Sequence, residues 1–257
     1  AAPAGRHRRR GASGRCDIRA ADGPRAGSRP RGVCQIVKNE SMQEPTRLDA
    51  LAGLIGAAND EIKNMIKQLA ANPSSPLGLE AQRVARQSSW IPNPQVSDPP
   101  KSTRSVDQWL SRLDAIEGTP DAQAGRRIFF HVAGASCSQC HRYDGRGNVV
   151  GPDLSLISKQ GTRREILASI LEPNREVAPQ FYTTLLQLAD GTEFTGILLR
   201  SSSNEVYRNN YGQEVTFQKR DIENRKELRS SLMPSGLLDT LSDHEVRDLL
   251  EFLVHGS

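Results

Sequence analysis

The sequence predicts a mainly α fold with a small antiparallel β insertion, preceded by a short helical region and a disordered tail. Three observations carry that prediction. Apolar residues recur at helical spacing in several stretches, from residue 46 to 87 and again beyond residue 106. Between about residues 181 and 220 the period switches to two, with turn signals between the runs. The first 45 residues show no period. The 257 residues can hold one or two domains with an ordinary core.

The tail spans residues 1–45. Residues 1–31 hold nine Arg against two Asp, while the rest of the chain has 25 basic and 28 acidic residues. The net charge of +4 and the pI near 9.0 therefore belong to the tail. Its Arg, Gly, Pro and Ser content cannot bury a core, so it is expected to be disordered. It has none of the interleaved aromatics that stack on bases, and no specific nucleic-acid partner is expected. Cys16 and Cys34 are expected to have no role.

Residues 46–87 read as a helical segment. Leu48, Leu51, Ala52, Leu54 and Ile55 form one stripe, and Ile62, Met65, Ile66 and Leu69 form a second. Asn59 and Asp60 supply the break and cap between them, and Pro73 ends the second helix. A third helix is predicted over 79–87, and the set could be the end of an α-solenoid. Met65 lies on an apolar stripe and reads as core. Residues 88–105 form a Pro-rich linker.

A second domain is predicted over 106–257. A helix covers 106–116, and another starts near Asp121 with Ala124, Gly125, Ile128 and Phe129. A short loop over 132–136 follows. Beyond it, Gly145, Gly147, Gly151 and Pro152 make an irregular loop. A helix over 162–171 is capped by Thr162 and stopped before Pro173. Four strands follow, over 181–189, 192–200, 205–209 and 214–219, with Asp190-Gly191 as the clearest hairpin signal. The last helix covers 242–254, with Ser242 as its cap.

The chemistry lies in Cys137-Ser138-Gln139-Cys140-His141. Two thiols three residues apart and an adjacent imidazole have the spacing that attaches haem covalently. Each cysteine adds to one vinyl group, and the histidine becomes the proximal iron ligand. A zinc knuckle would need a second Cys/His pair at ligand spacing, and Cys16 and Cys34 do not supply one. A thioredoxin-like disulfide would need a βαβ pattern, which the flanks lack. His141 needs an acceptor for its second ring nitrogen, and a carbonyl of the following loop, at Pro152, is the candidate. Met233, in a loop constrained by Pro234 and Gly236, is the candidate sixth ligand; the competing reading is a core gap-filler. His131, His244 and His255 are rival ligands. Arg142 and Arg146 could pair with haem propionates.

These residues resemble a class I cytochrome c core. Gly125, Phe129, Leu249 and Phe252 match its helix crossing, Gly151-Pro152-Asp153-Leu154 its histidine-orienting loop, and Met233 its axial methionine. Residues from about 106 to 253 resemble the planctomycete/verrucomicrobial C-terminal haem-binding domain family. That match rests on the run from Gly125 to Phe130, the 137–141 motif, Asp144-Gly145-Arg146-Gly147, Ser169-Ile170-Leu171-Glu172-Pro173 and Ser231-Leu232-Met233-Pro234. The resemblance implies one covalently bound haem c, His141 and Met233 as iron ligands, and a β insertion. It implies single-electron transfer with a redox partner, a dehydrogenase or another cytochrome, and no catalytic residues.

Two other readings stay open: a haem-based sensor or peroxidase-like protein with a displaceable sixth ligand, and an interaction module. No apolar run is long enough to span a bilayer. No h-region follows the basic N-terminus. Covalent haem attachment belongs in the periplasm or elsewhere outside the cytoplasm, so a fragment, a processed form or a faulty start is expected.

Overall fold

The computed structural model describes residues 29–57, 59–91, 103–131, 135 and 137–256. Cys16, most of the 88–105 linker and most of the 132–136 loop lie outside them. The chain divides into two compact units, Ala1–Ala85 and Arg86–Ser257.

In the first unit helix α1 spans Arg29–Lys38, α2 Glu44–Ala52, α3 Asp60–Ala70 and α4 Pro76–Gln87, which runs on past the unit boundary. Asn59 caps α3 by accepting from the Glu61 and Ile62 amides. Met65 is buried. Helix α1 corrects the expectation of disorder for residues 29–38, and the first turn of α2 does so for residues 44–45; residues 1–28 lie outside the described residues. A helix of ten residues cannot stand alone in water, but α1 packs on α2. Cys34 and Val37 are buried, and Arg47 Nε donates to the Val37 carbonyl at 3.0 Å. Cys34, read as having no role, is a core side chain.

In the second unit helix α5 covers Val106–Asp114, α6 Ala122–Phe130, α7 Ile157–Gln160, α8 Arg163–Leu171 and α9 Asp243–His255. Ser105, Thr162 and Ser242 close capping boxes with Gln108, Glu165 and Glu245. Asp121 caps α6. Trp109, Leu113, Phe129, Leu167, Leu249 and Phe252 are fully buried in one helical core. Helices α6 and α9 meet at Gly125, where a Cβ would press into the Asp248 carbonyl and lie 2.9 Å from Phe252 Cβ. Phe129 and Phe252 stack edge-to-face there, centroids 5.6 Å apart.

The fold class departs from the expectation. A two-stranded hairpin joins β1 (Arg142–Tyr143) to β2 (Arg146–Gly147), where only an irregular loop was predicted. Its turn, Asp144-Gly145, has φ of 46° and 74° at the two central residues, the condition of a type I′ turn. A five-stranded antiparallel sheet then runs β3 (Thr183–Leu188), β4 (Glu193–Ser201), β5 (Asn204–Arg208), β6 (Glu214–Gln218) and β7 (Ile222–Glu227). Its order is β6-β5-β4-β3-β7, so β7 returns to pair with β3 at the opposite edge. The description as a small, mainly α, class I cytochrome c-like fold is therefore corrected to a mixed helix-and-sheet architecture. Strand β7 has one buried residue, Ile222, and five exposed ones. A charged edge strand of that kind has no alternating apolar signature to read.

The sheet has its own small core of Leu186, Tyr207 and Ile222. Beside it lies a buried carboxylate, Glu205, only 5% exposed. It accepts from Tyr207 Oη at 2.7 Å, Arg225 Nε at 2.8 Å and Ser201 Oγ at 3.2 Å. Burial pushes the Glu205 carboxyl up, but the hydrogen bonds and charge of Arg225, Tyr207 and Ser201 outweigh it and hold it below the usual range. A depressed folded-state value stabilises above the unfolded pKa of about 4.3 and is lost as pH falls through the folded value. The urea midpoint of the wild type should fall on acidification from about pH 5 to pH 3 more steeply than that of Glu205→Gln. Parallel pH profiles would refute this role.

Candidate functional site

The 137–141 motif opens on a 3-10 turn over Cys137–Gln139. The His141 amide donates to the Cys137 carbonyl at 2.8 Å, which closes the turn and presents the imidazole at its end. The chain doubles back through the β1–β2 hairpin. The Asn148 amide then donates to Ser138 O at 3.0 Å, and the Gly151 amide to Cys140 O at 2.8 Å. That return lays residues 148–152 alongside the motif.

His141 Nδ1 lies 2.8 Å from the Pro152 carbonyl oxygen. A carbonyl can only accept, so Nδ1 carries the proton and Nε2 keeps the lone pair. Burial lowers the His141 pKa, and the Pro152 bond opposes this only in part. The ring is thus neutral at physiological pH, with one nitrogen engaged and the other available. Gly151 lies flat against it: a Cβ there would sit 2.5 Å from Cε1 and 2.8 Å from Nδ1. Pro152 bonds the imidazole as expected, and Gly151, expected only as part of the same loop, packs directly on the ring.

Cys140, His141, Pro152 and Met233 line one cavity of about 590 Å³. Such a volume is in the range of small-molecule and cofactor sites. Its walls are largely apolar, with Leu154, Ile166, Ile170, Phe181, Ile197 and Leu253 among them. Ile197 belongs to β4, so the sheet forms part of the wall. Arg175, Glu165 and Glu176 are charged groups on it. Arg142 and Arg146, the expected propionate partners, do not line it; Arg146 instead sits 4.4 Å over the Phe130 ring. Nor do His131, His244 and His255.

Met233 is held by local bonds. Its amide donates to Ser231 Oγ at 3.0 Å, and the Ser231 amide donates to Asn174 Oδ1 at 2.8 Å. Thr183, at the start of β3, donates to Ser230 O from both its amide (3.0 Å) and its hydroxyl (2.8 Å). The segment carrying Met233 is therefore tied to the sheet. Asn174 and Arg175 were not identified from the sequence. Their parts depend on contacts made by the folded chain, which no local pattern announces.

Cys137 is not among the cavity-lining residues; it packs against the helical core. Burial pushes its thiol up to about 12, and burial raises Cys140 as well. Neither is a thiolate at neutral pH, and the two form no disulfide. Among the described residues no group of three or more His, Cys, Asp or Glu side chains could hold a metal ion. The motif thus does not assemble into the metal-binding, cytochrome c-like centre that its spelling leads one to expect. The physical reason is orientation: Cys137 turns to the core, whereas Cys140 and His141 face the cavity.

Cys140, His141 and Met233 share the cavity wall, and Cys137 stands apart from it. Among the described residues no helix is long and apolar enough to cross a membrane. The chain matches no protein-family model and no curated protein.

Proposed function

We propose that residues 106–257 carry one covalently attached haem c and pass single electrons to and from a partner protein, without bond chemistry of their own. The observation that carries this reading is the His141–Pro152 hydrogen bond beside a cavity that Cys140 and Met233 also line. It fixes the tautomer in which Nε2 can ligate. Haem would supply the one-electron iron couple. His141 and Met233 would hold it, a pairing that favours a raised potential. Cys140 would form a thioether from the cavity wall. The apolar walls would exclude water, which again favours the less charged state. The resemblance to planctomycete/verrucomicrobial C-terminal haem-binding domains supports this assignment. It also supports a dehydrogenase or another cytochrome as redox partner and an extracytoplasmic location.

Expression with a c-type haem maturation system, followed by a pyridine haemochrome assay, tests the attachment. One haem per chain is expected for the wild type, and none for Cys137→Ala/Cys140→Ala. Absence of covalent haem in the wild type would overturn the reading. Met233→Ala should lose the low-spin ferric spectrum, whereas an unchanged spectrum removes Met233 from the ligand set. Rapid carbon monoxide binding to the reduced wild type would instead favour a sensor or peroxidase-like protein.

A further inference from the structure

We infer that the β5–β6 hairpin is a positioning device for His141, acting through Asn148 and Val149 on the loop whose Pro152 carbonyl orients the imidazole. This deepens the haem reading and rests on it for its purpose, though not for its geometry. Among the described residues, five hydrogen bonds tie residues 148–152 to other segments, and the two from outside the motif both come from this hairpin. Asn148 Nδ2 donates to the Tyr211 carbonyl at 3.0 Å, and Arg208 Nη1 donates to the Val149 carbonyl at 2.8 Å. The other three run from Asn148 to Ser138, from Gly151 to Cys140 and from His141 to Pro152.

The hairpin side is built for the contact. Gly212, at φ 79°, lies so close to Asn148 that a Cβ would overlap its amide group. Tyr211 offers its backbone carbonyl while its residue stays 73% exposed. The Arg208 guanidinium is steadied by Glu214 Oε1 at 3.3 Å from Nη2, and Glu214 Oε2 in turn lies 3.4 Å from Arg200. Arg208 therefore meets Val149 from a held position rather than as a free chain. Asn148 uses its backbone amide and both ends of its side chain: its amide on Ser138, its Nδ2 on Tyr211, and its Oδ1 as acceptor for the Val149 amide at 2.8 Å. It is the joint between motif and sheet. A hairpin that merely covered the protein would not need both its bonds to fall within four residues of Pro152.

The test uses the full chain without haem. With ¹⁵N-labelled histidine, solvent exchange of the His141 Nδ1 proton reports the Pro152 bond directly. Arg208→Ala should speed that exchange roughly tenfold, the scale of one net hydrogen bond. Asn148→Asp keeps the Oδ1 acceptor for Val149 but loses the donor to Tyr211, and should act in the same direction. Thr192→Ala, which removes a hydroxyl bond in the β3–β4 turn, should leave exchange unchanged. Wild-type exchange in folded Arg208→Ala and Asn148→Asp would overturn the inference, as would equal acceleration by Thr192→Ala. If either hairpin variant fails to fold, Gly212→Ala serves in its place, with the same two outcomes. A wild type that takes no covalent haem would overturn the functional reading and leave this exchange result standing.

Discussion

Gly125→Ala should destabilise the second unit by about 2 kcal/mol, against the usual gain from replacing a helical glycine. Two effects oppose each other. Alanine in a helix interior is favoured over glycine by about 1 kcal/mol. Overpacking a close contact costs about 1–3 kcal/mol, and more when the obstacle cannot swing aside. Here the obstacle is the Asp248 carbonyl in the middle of α9, backed by Phe252 Cβ at 2.9 Å. Neither is the free end of a flexible side chain, so α6 and α9 must separate. That separation also loosens the Phe129–Phe252 ring pair and the bond from the Asp121 amide to Asp248 Oδ1 at 2.9 Å. The upper end of the cost applies and exceeds the propensity gain. Gly32 in α1, where a Cβ meets nothing within 4 Å, shows only the gain. Urea unfolding followed by the fluorescence of buried Trp109 measures the difference. An unchanged or raised midpoint for Gly125→Ala would mean that the helices have slack at the crossing.

Elements with both a period and a cap were legible in the sequence. Asn59, Thr162 and Ser242 announce helices that begin one residue later, because each side chain satisfies an amide that the helix leaves open. Gly125 was singled out only through the resemblance at the helix crossing; that no side chain fits there is set by the Asp248 carbonyl of α9. Helix α1 was missed because Cys34 and Val37 are too few to stand out from an Arg-rich background, and packing on α2 orders it. Strand β7 was missed because five of its six side chains face solvent, and its pairing with β3 closes over some forty residues of chain. The overall class followed from that miss, since a four-stranded insertion and a five-stranded sheet closed on its first strand are different architectures.

At the site, Pro152 could be placed because the second ring nitrogen of His141 needs an acceptor and the loop after the motif is the nearest to supply one. Met233 was legible only as a candidate, since its surroundings are set by Asn174 and Thr183. Cys137 shows the limit of motif reading. Its spacing to Cys140 is a property of the chain, but which way its thiol turns depends on the helical core beside it.

Gly151→Ala should release His141 from its single Nδ1–H tautomer with little loss of stability. Gly151 has no left-handed backbone that would forbid alanine, so the effect lies in the added methyl group. That group would sit 2.5 Å from Cε1, 2.8 Å from Nδ1 and 3.1 Å from Nε2, across the face of the imidazole. The Gly151 amide is bonded to Cys140 O at 2.8 Å, so the backbone does not retreat easily. The ring must move instead, and a shift of about 1 Å breaks a 2.8 Å hydrogen bond. Losing that one bond costs about 1 kcal/mol, which in a unit of this size lowers the Tm by about 2–4 °C. The chemical consequence is larger. Without the Pro152 acceptor nothing holds the proton on Nδ1, and the ring populates the tautomer with hydrogen on Nε2. That nitrogen then has no lone pair to give. The ¹⁵N shifts of His141 should move from a single Nδ1–H form in the wild type to a mixture in the variant. A pure Nδ1–H signal in folded Gly151→Ala would show that the ring has room the geometry denies it, and that the tautomer is set by something other than Pro152.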